Sequence, residues 1–453
     1  MPISVNPSSP PSEAPSESDF SARKLRIAAI CLIGMVFGTY LVISGAMSFL
    51  MLPITQDFHW TRLQFSFAVS ALLWAGALVM PLAGNIADRI GARPVILAST
   101  AILGVFSLLM GRQTGHVWAY CLCLGLAGVF GQTNAIYSKV IGTLFTQNRG
   151  KALGIFYMAM GVMMGLQPQI TNFLLMHVGW RGVFSTYGVI VLALLPLVYF
   201  GLEEPGRSSS GGTLGRVRSG RVAALQSTPA ALVGMTAREA RRDKTFWILG
   251  ISWLCEMALA QGWAQHHVAF LVGRGFTPTQ VANVITISFL FQPLVIFLSG
   301  YAMDRIQNAK IAAPFALLGA LGMAIEWLAW AKDSGGMLRL VVGATLCGFA
   351  LGSALNIQTY FFTRYFGIRS FAEIFGLAMA VQNVASGFGP PVIGKLFDRT
   401  GSYNLVVLLI IIAYVVSATL ILALGRYRYS VDLREPATAP AEAASIPAAA
   451  GRT

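Results

Sequence analysis

Long apolar runs separated by short polar turns fill most of this chain. Twelve runs stand out, at residues 27–54, 61–87, 92–111, 117–145, 150–177, 182–201, 246–273, 278–303, 309–331, 337–366, 371–396 and 402–425. As a helix, a run of about 20 residues crosses a hydrocarbon core of about 30 Å. The pattern predicts an all-α membrane protein of twelve transmembrane helices. The tails, residues 1–26 and 426–453, are rich in Pro, Ser and Ala and are expected to be disordered. Residues 1–21 lack the basic start and apolar core of a secretory signal, so no cleaved leader is expected.

Hydropathy falls between Gly201 and Phe246, where eight Arg and Lys stand against four acids. This stretch, 202–245, reads as a flexible linker between the bundles 27–201 and 246–425, with room for a surface helix near residues 236–244. The two bundles repeat one another. Asp88 and Asp304 lie 216 residues apart, and the same offset maps Thr61 and Gln64 onto Thr277 and Gln280. Both pairs spell Thr-x-x-Gln, a capping box at a helix start. Further along, an offset of 222 pairs Asn134 with Asn356, Gly154 with Gly376, Gly165 with Gly387 and Pro168 with Pro390. Two parallel repeats imply a pseudo-two-fold axis along the membrane normal, with substrate bound between the halves.

Composition agrees: 55% hydrophobic, 11% charged, mean hydropathy +0.66. The net charge of +14 is not a nucleic-acid signature, because the basic residues sit in the turns and do not cluster with stacking aromatics. With a cytoplasmic N-terminus, 23 of the 32 Lys and Arg fall in cytoplasmic segments, 8 fall outside and Lys139 lies within a helix, which favours both termini inside. All five cysteines fall within predicted spans and read as packing residues. The phosphate-loop, H-E-x-x-H and G-x-S-x-G patterns are missing, so neither an enzyme, a metal or cofactor site, nor ATP-driven transport is expected.

Against this background the charged stretch GNIADRIGAR, residues 84–93, needs a reason. Gly84 allows close backbone approach, Asp88 can face the positive end of a helix, and Arg89 and Arg93 can meet carboxylates or headgroups. With Gly91 at the turn, these positions resemble the loop between the second and third helices of the major facilitator superfamily, secondary transporters of twelve helices in two pseudo-symmetric bundles. The resemblance implies a latch that holds the cytoplasmic ends of the bundles together in one state. A second copy keeps Gly300, Asp304 and Arg305 but has Gln307 for the turn glycine, so a weaker latch is expected there. A third Asp-Arg, Asp398 and Arg399, falls on the outer side and is expected to be a surface turn.

The stretch LFTQNRGKALGIFYMAMGVMMG, residues 144–165, resembles the monocarboxylate transporter and oxalate/formate antiporter branch. Arg149, Gly150, Ala152, Leu153, Gly154, Gly161 and Gly165 carry the likeness, with Gly-Trp-Arg at 179–181. Gly161 and Gly165 form a small-xxx-small pair suited to close helix packing. That branch holds the substrate carboxylate with a basic residue in the eighth helix, sometimes helped by a Lys in the first. This chain has neither in those spans.

Candidate binding or proton-coupling groups are therefore sought elsewhere. Polar residues at membrane depth usually face a cavity or a partner. Glu256, Trp263 and His267, spaced by 7 and 4, share one face of the seventh helix, with His266 turned about 100° away. His267 can bind an anion or exchange a proton near neutral pH, and Glu256 can carry a proton. The alternatives are a packed or capping ring for the histidines and a structural hydrogen bond for Glu256. Asn134 and Asn356, matched across the repeat, either face the cavity together with Tyr137 and Tyr360 or bond between helices. Lys139 either lines the pathway or snorkels. Glu326 and Arg364 are secondary candidates, Arg364 being expected at the lipid headgroups.

The expected function is secondary transport of a small organic anion, monocarboxylate-like, by a monomer in a bacterial inner membrane, coupled to protons or to exchange. The rival within transport is an exporter of hydrophobic compounds, whose cavity would hold Glu256 as its sole charge. A membrane sensor would need a signalling domain. The topology is open to test: a Ser210→Cys protein in intact cells should resist an impermeant maleimide and react after permeabilisation. Labelling from the periplasm alone would overturn it.

Overall fold

A computed structural model describes residues 21–40, 45–131, 133–145, 149–202 and 234–429. Most of both expected tails and of the linker lie outside these residues.

The first crossing is built from α1 (Ala22–Gly34), a π-helical turn (Met35–Tyr40) and α2 (Ala46–Asp57). It starts before its apolar run, because Ser21 caps it by accepting the Lys24 amide at 3.3 Å. Next come α3 (Arg62–Ile90) and α4 (Ala92–Gly111), and then a fourth crossing in two pieces, α5 (Val117–Phe130) and α6 (Asn134–Leu144). Crossings five and six form one long helix, α7 (Arg149–Gly201), broken at Gly179, whose φ of 66° is left-handed and suits glycine. The adjacent Trp180 and Arg181 both bond Asp57 Oδ2, at 3.3 and 2.6 Å, and so tie the break to the end of α2.

A short helix, α8 (Ala237–Arg242), leads into the second half. There follow α9 (Lys244–Gly273), α10 (Pro278–Arg305), α11 (Ala313–Trp327) and α12 (Gly336–Phe366). The eleventh crossing is split into α13 (Phe371–Ser386) and α14 (Gly389–Thr400), and α15 (Asn404–Leu422) is the twelfth. Among the described residues, seven helices are long and apolar enough to cross a membrane by length and composition alone. The 30-residue α9 is not one of them: Glu256, Gln261, Gln265, His266 and His267 lower its hydropathy.

Both capping boxes form. Thr61 and Thr277 accept the amides of Gln64 and Gln280, each at 3.2 Å, and the glutamine side chains accept the threonine amides in return, each at 2.9 Å. Within the first half α4 packs on α7 and α3 on α5; within the second, α11 packs on α12 and α15, and α10 on α12. Between halves the main pairs are α7 with α10, α3 with α13 and α14, and α2 with α9.

The described residues beyond the last apolar run, 426–429, are tied to the second half. The Arg428 and Tyr429 amides both donate to the Arg364 carbonyl, at 3.2 and 3.1 Å, and Arg428 pairs with Asp243. Partial burial opposes ionisation of Asp243, but the bonds from Arg428 and Thr245 outweigh it and hold the carboxyl below its ordinary value. Arg364 itself is buried and does not reach headgroups. Its guanidinium lies 4.8 Å over the Tyr427 ring and donates to Gln307 at 3.1 Å, so the residue that replaces the turn glycine anchors its loop to α12.

One close approach sets the position of α9. A Cβ on Gly262 would sit 2.5 Å from the Gly389 carbonyl carbon, whereas one on Gly250 would meet nothing within 4 Å. Gly262→Ala should therefore lower stability by about 1–3 kcal/mol through overpacking. Gly250→Ala should be neutral or raise it by up to about 1 kcal/mol through helix propensity. Thermal unfolding in detergent compares the two; equal shifts would refute the assigned contact.

Candidate functional site

Helices of both halves enclose a cavity of about 330 Å³. This is near the lower end of the ~300–1,000 Å³ usual for small-molecule sites. Its wall is largely apolar and aromatic, with Phe49, Leu72 and Met164 from the first half and Trp263, Phe289 and Tyr414 from the second. Into it project Gln167, Gln261, Gln265, Gln292, His267 and Glu326.

Trp263 and His267 stand one turn apart on α9, with ring centroids 5.7 Å apart. Phe270 at 4.9 Å and Tyr403 at 6.1 Å brace the indole. His267 Nε2 lies 3.0 Å from Glu326 Oε2, with the carboxylate side chain 1% exposed and the imidazole 15%. The second carboxylate oxygen, Oε1, is buried with no hydrogen-bond partner, as is Gln265 Oε1. The cavity wall thus carries one imidazole–carboxylate contact and unspent acceptors.

His266, one residue away, belongs to the wall between the halves. Its ring is fully buried, with Nε2 3.0 Å from Ser66 Oγ and Nδ1 3.1 Å from the Tyr403 hydroxyl. Ser66 Oγ already donates to the Arg62 carbonyl at 2.7 Å, so it accepts from His266 Nε2–H, and Tyr403 donates to Nδ1. That assignment leaves a neutral, fully bonded ring.

Glu256 shares the face of Trp263 but lies outside the cavity. Eleven residues of helix separate it from His267, about 16 Å at ~1.5 Å per residue, and at that depth the face meets α15. There Ser417 donates to Glu256 Oε1 at 2.6 Å and accepts from Ser252 at 2.7 Å. Tyr137 is buried against α1, its hydroxyl 2.4 Å from where a Gly34 Cβ would stand. Asn134 starts α6, and its Oδ1 is buried without a partner. Lys139, on the same helix, is exposed and off the cavity wall. Asn356 donates to Ser299 at 3.1 Å and Tyr360 to the Met303 carbonyl at 3.1 Å, both joining α12 to α10. Glutamines inside apolar runs were the overlooked signal: three of the four in the cavity, Gln167, Gln261 and Gln292, interrupt stretches with no other polar reason.

Polar bonds seal the halves on the side of the α2–α3 turn, opposite the described chain ends. Asp398, expected as a surface turn, bridges the halves there. Its two oxygens accept the amides of Arg62 at 3.0 Å and Leu63 at 2.9 Å, the first residues of α3, where orphan N–H groups and the helix dipole favour an anion. Gln169 donates to Asn283 at 2.8 Å, Asn172 to Thr279 at 3.1 Å and Thr286 to the Gly165 carbonyl at 2.7 Å. Gly165 accordingly packs on α10, but Gly161 and Gly154, nearer the chain ends, meet nothing within 4 Å. The small-xxx-small pair is therefore only half used.

On the side of the chain ends, the described charges of the loops stay within their own halves. Gly91 turns with φ 100°, and Arg93 bonds the Tyr199 carbonyl and lies 4.9 Å over its ring, within its own half. Arg89, Asp304 and Arg305 are exposed, Arg305 stacking 5.3 Å over Tyr301 of its own helix. Among these described side chains none reaches the other half; those of Gly84 and Asp88 lie outside the described residues. The halves thus close on the Asp398 side, and on the other side none of the described loop charges joins them.

Asp398→Asn removes the charge at the α3 terminus, worth about 1 kcal/mol, or roughly a fivefold change in the closed population. Spin labels at the exposed positions Gln56 and Thr400 should then show more of the longer distances. An unchanged distribution would refute the seam.

The sequence model of the Major Facilitator Superfamily matches residues 32–276 and 264–450. The chain is 25% identical to the gallate transporter of Pseudomonas putida over 85% of its own length and 93% of the relative's. It is 25% identical to the 3-(3-hydroxy-phenyl)propionate transporter of Escherichia coli (strain K12), over 84% and 88%. Its fold is similar to that of the nucleoside transporter NupG, with a TM-score of 0.69, 15% identity and coverage of 88% and 99%. With the family match spanning nearly all of the chain, and two halves meeting around a central cavity, this protein belongs to the Major Facilitator Superfamily and is a secondary transporter, not an enzyme.

Proposed function

We propose that the protein carries a small organic anion, an aromatic carboxylate above all, by alternating access coupled to protons or to exchange. The observation that carries this reading is the cavity wall: an imidazole able to become cationic, His267, stands beside an indole held edge-on by neighbouring rings. A planar acid would place its ring on Trp263 and its carboxylate on His267. The names of the two relatives, carriers of aromatic acids, support the same class. The hydrophobic-exporter alternative expects Glu256 to be the sole charge in the cavity, and Glu256 lies outside it.

In this reading the Asp398 side faces the periplasm, the chain ends face the cytoplasm of a bacterial cell, and a monomer suffices because one chain encloses the cavity. Rocking the halves would break the seam, engage the loops around Asp88 and Asp304, and expose the cavity to the other side.

The reading is tested by counterflow in proteoliposomes with gallate, 3-(3-hydroxyphenyl)propionate, lactate and D-xylose. The two aromatic acids should exchange, and D-xylose should not. Trp263→Ala should raise KM for the aromatic acids about tenfold, the equivalent of ~1.4 kcal/mol of ring contact. Failure of every acid to exchange would sink the proposal.

A further inference from the structure

We infer that Glu326 is the proton-loading group of the transport cycle, and that the substrate carboxylate competes with it for His267. This rests on the anion reading above.

The two partners are held differently. The Glu326 stem is fixed: a Cβ on Gly343 of α12 would stand 2.7 Å from its Cγ, so the glycine is what admits it. The carboxylate cannot follow a moving partner. His267, by contrast, is partly open to the cavity and is held through one bond at Nε2. When the pair parts, the imidazole is the member that moves.

Parting the pair has a definite proton balance. In the closed pair one proton is shared between Nε2 and Oε2. An arriving carboxylate needs that proton on the imidazole, as His267 N–H⁺. Glu326 would then be left as a bare anion, with Oε1 already lacking a donor and Oε2 newly losing one. A buried carboxylate stripped of its partner is strongly destabilised unless it takes up a proton. Binding one anion therefore draws in one proton, and the loaded site holds a neutral Glu326, a cationic His267 and the anionic substrate. Its net charge equals that of the empty site, and the step forms no covalent bond.

The surroundings suit a group that changes charge. Glu326 is the penultimate residue of α11, beside the negative end of that helix. Arg274 faces it from beyond the end of α9, donating to the carbonyls of Trp327 and Ala329. Cys347 of α12 and Tyr414 of α15 also face it. Glu256 lies beyond Tyr414, and His266 points away into the seam. Of these, Arg274 alone carries a fixed positive charge, and its hydrogen bonds go to backbone carbonyls, which leaves the carboxylate to His267.

The probe is 3-(3-hydroxyphenyl)propionate. Bound to the wild-type protein in weakly buffered detergent, with a pH dye, it should draw in close to one proton per anion near pH 7; no uptake would overturn the inference without any variant. Glu326→Gln should bind the probe with no proton uptake, slow counterflow by no more than about tenfold, and lose uphill accumulation under a pH gradient. Uphill accumulation at the wild-type ratio would overturn the inference. His267→Gln should raise KM at least about tenfold and leave any residual binding insensitive to pH between about 5 and 8. If no acid is exchanged at all, the anion reading fails; if acids exchange but bind without protons, the role of Glu326 alone fails.

Discussion

A polar group inside a bilayer must find a partner in the protein or in a water-filled space, and this structure follows from how that demand is met. Backbone groups are satisfied within helices, which is why twelve crossings form. Side-chain polar groups are gathered where the halves face one another. Asn172, Gln169, Thr286, Ser66 and His266 bond across the seam, while His267, Glu326 and the glutamines line the space that the seam closes.

This arrangement makes the closed side reversible. Its bonds are single hydrogen bonds and a carboxylate on a helix terminus, each worth about 1 kcal/mol net in exchange with water. An apolar interface of the same extent would be harder to part. Asp398, near the end of α14, also resembles in kind the role expected of Asp88: an acidic residue near a helix end, set against a helix of the other half. On the Asp398 side that contact is made, and on the other side the described charges of the loops stay within their own halves.

Much of the fold was legible because its signals are local. The capping boxes at Thr61 and Thr277 need only four residues each, and both form. The break at Gly179 and the turn at Gly91 fall on glycines the motifs pointed to. The site was legible only in part. Helical spacing places Trp263, His267 and Glu256 on one face, and it places them so, but spacing says nothing of what each turn of that face meets. At Trp263 it meets the cavity; two turns toward the chain ends, at Glu256, it meets Ser417 of α15. Asn356, picked out by repeat position, and the nearby Tyr137 and Tyr360 each bond or pack within their own half.

The sequence by itself determined the membrane class, the twelve runs, the repeat and the helix starts, because hydropathy and capping act over a few turns of chain. Only the tertiary structure decided which polar residues became a seam and which became a site. Asp398 meets Arg62 and Leu63 across more than 330 residues, and Glu326 meets His267 across 59. Such pairings depend on helix crossings such as that of Gly262 with Gly389 and on the fit of the Glu326 stem against Gly343, distances of a few ångströms that no one-dimensional pattern encodes.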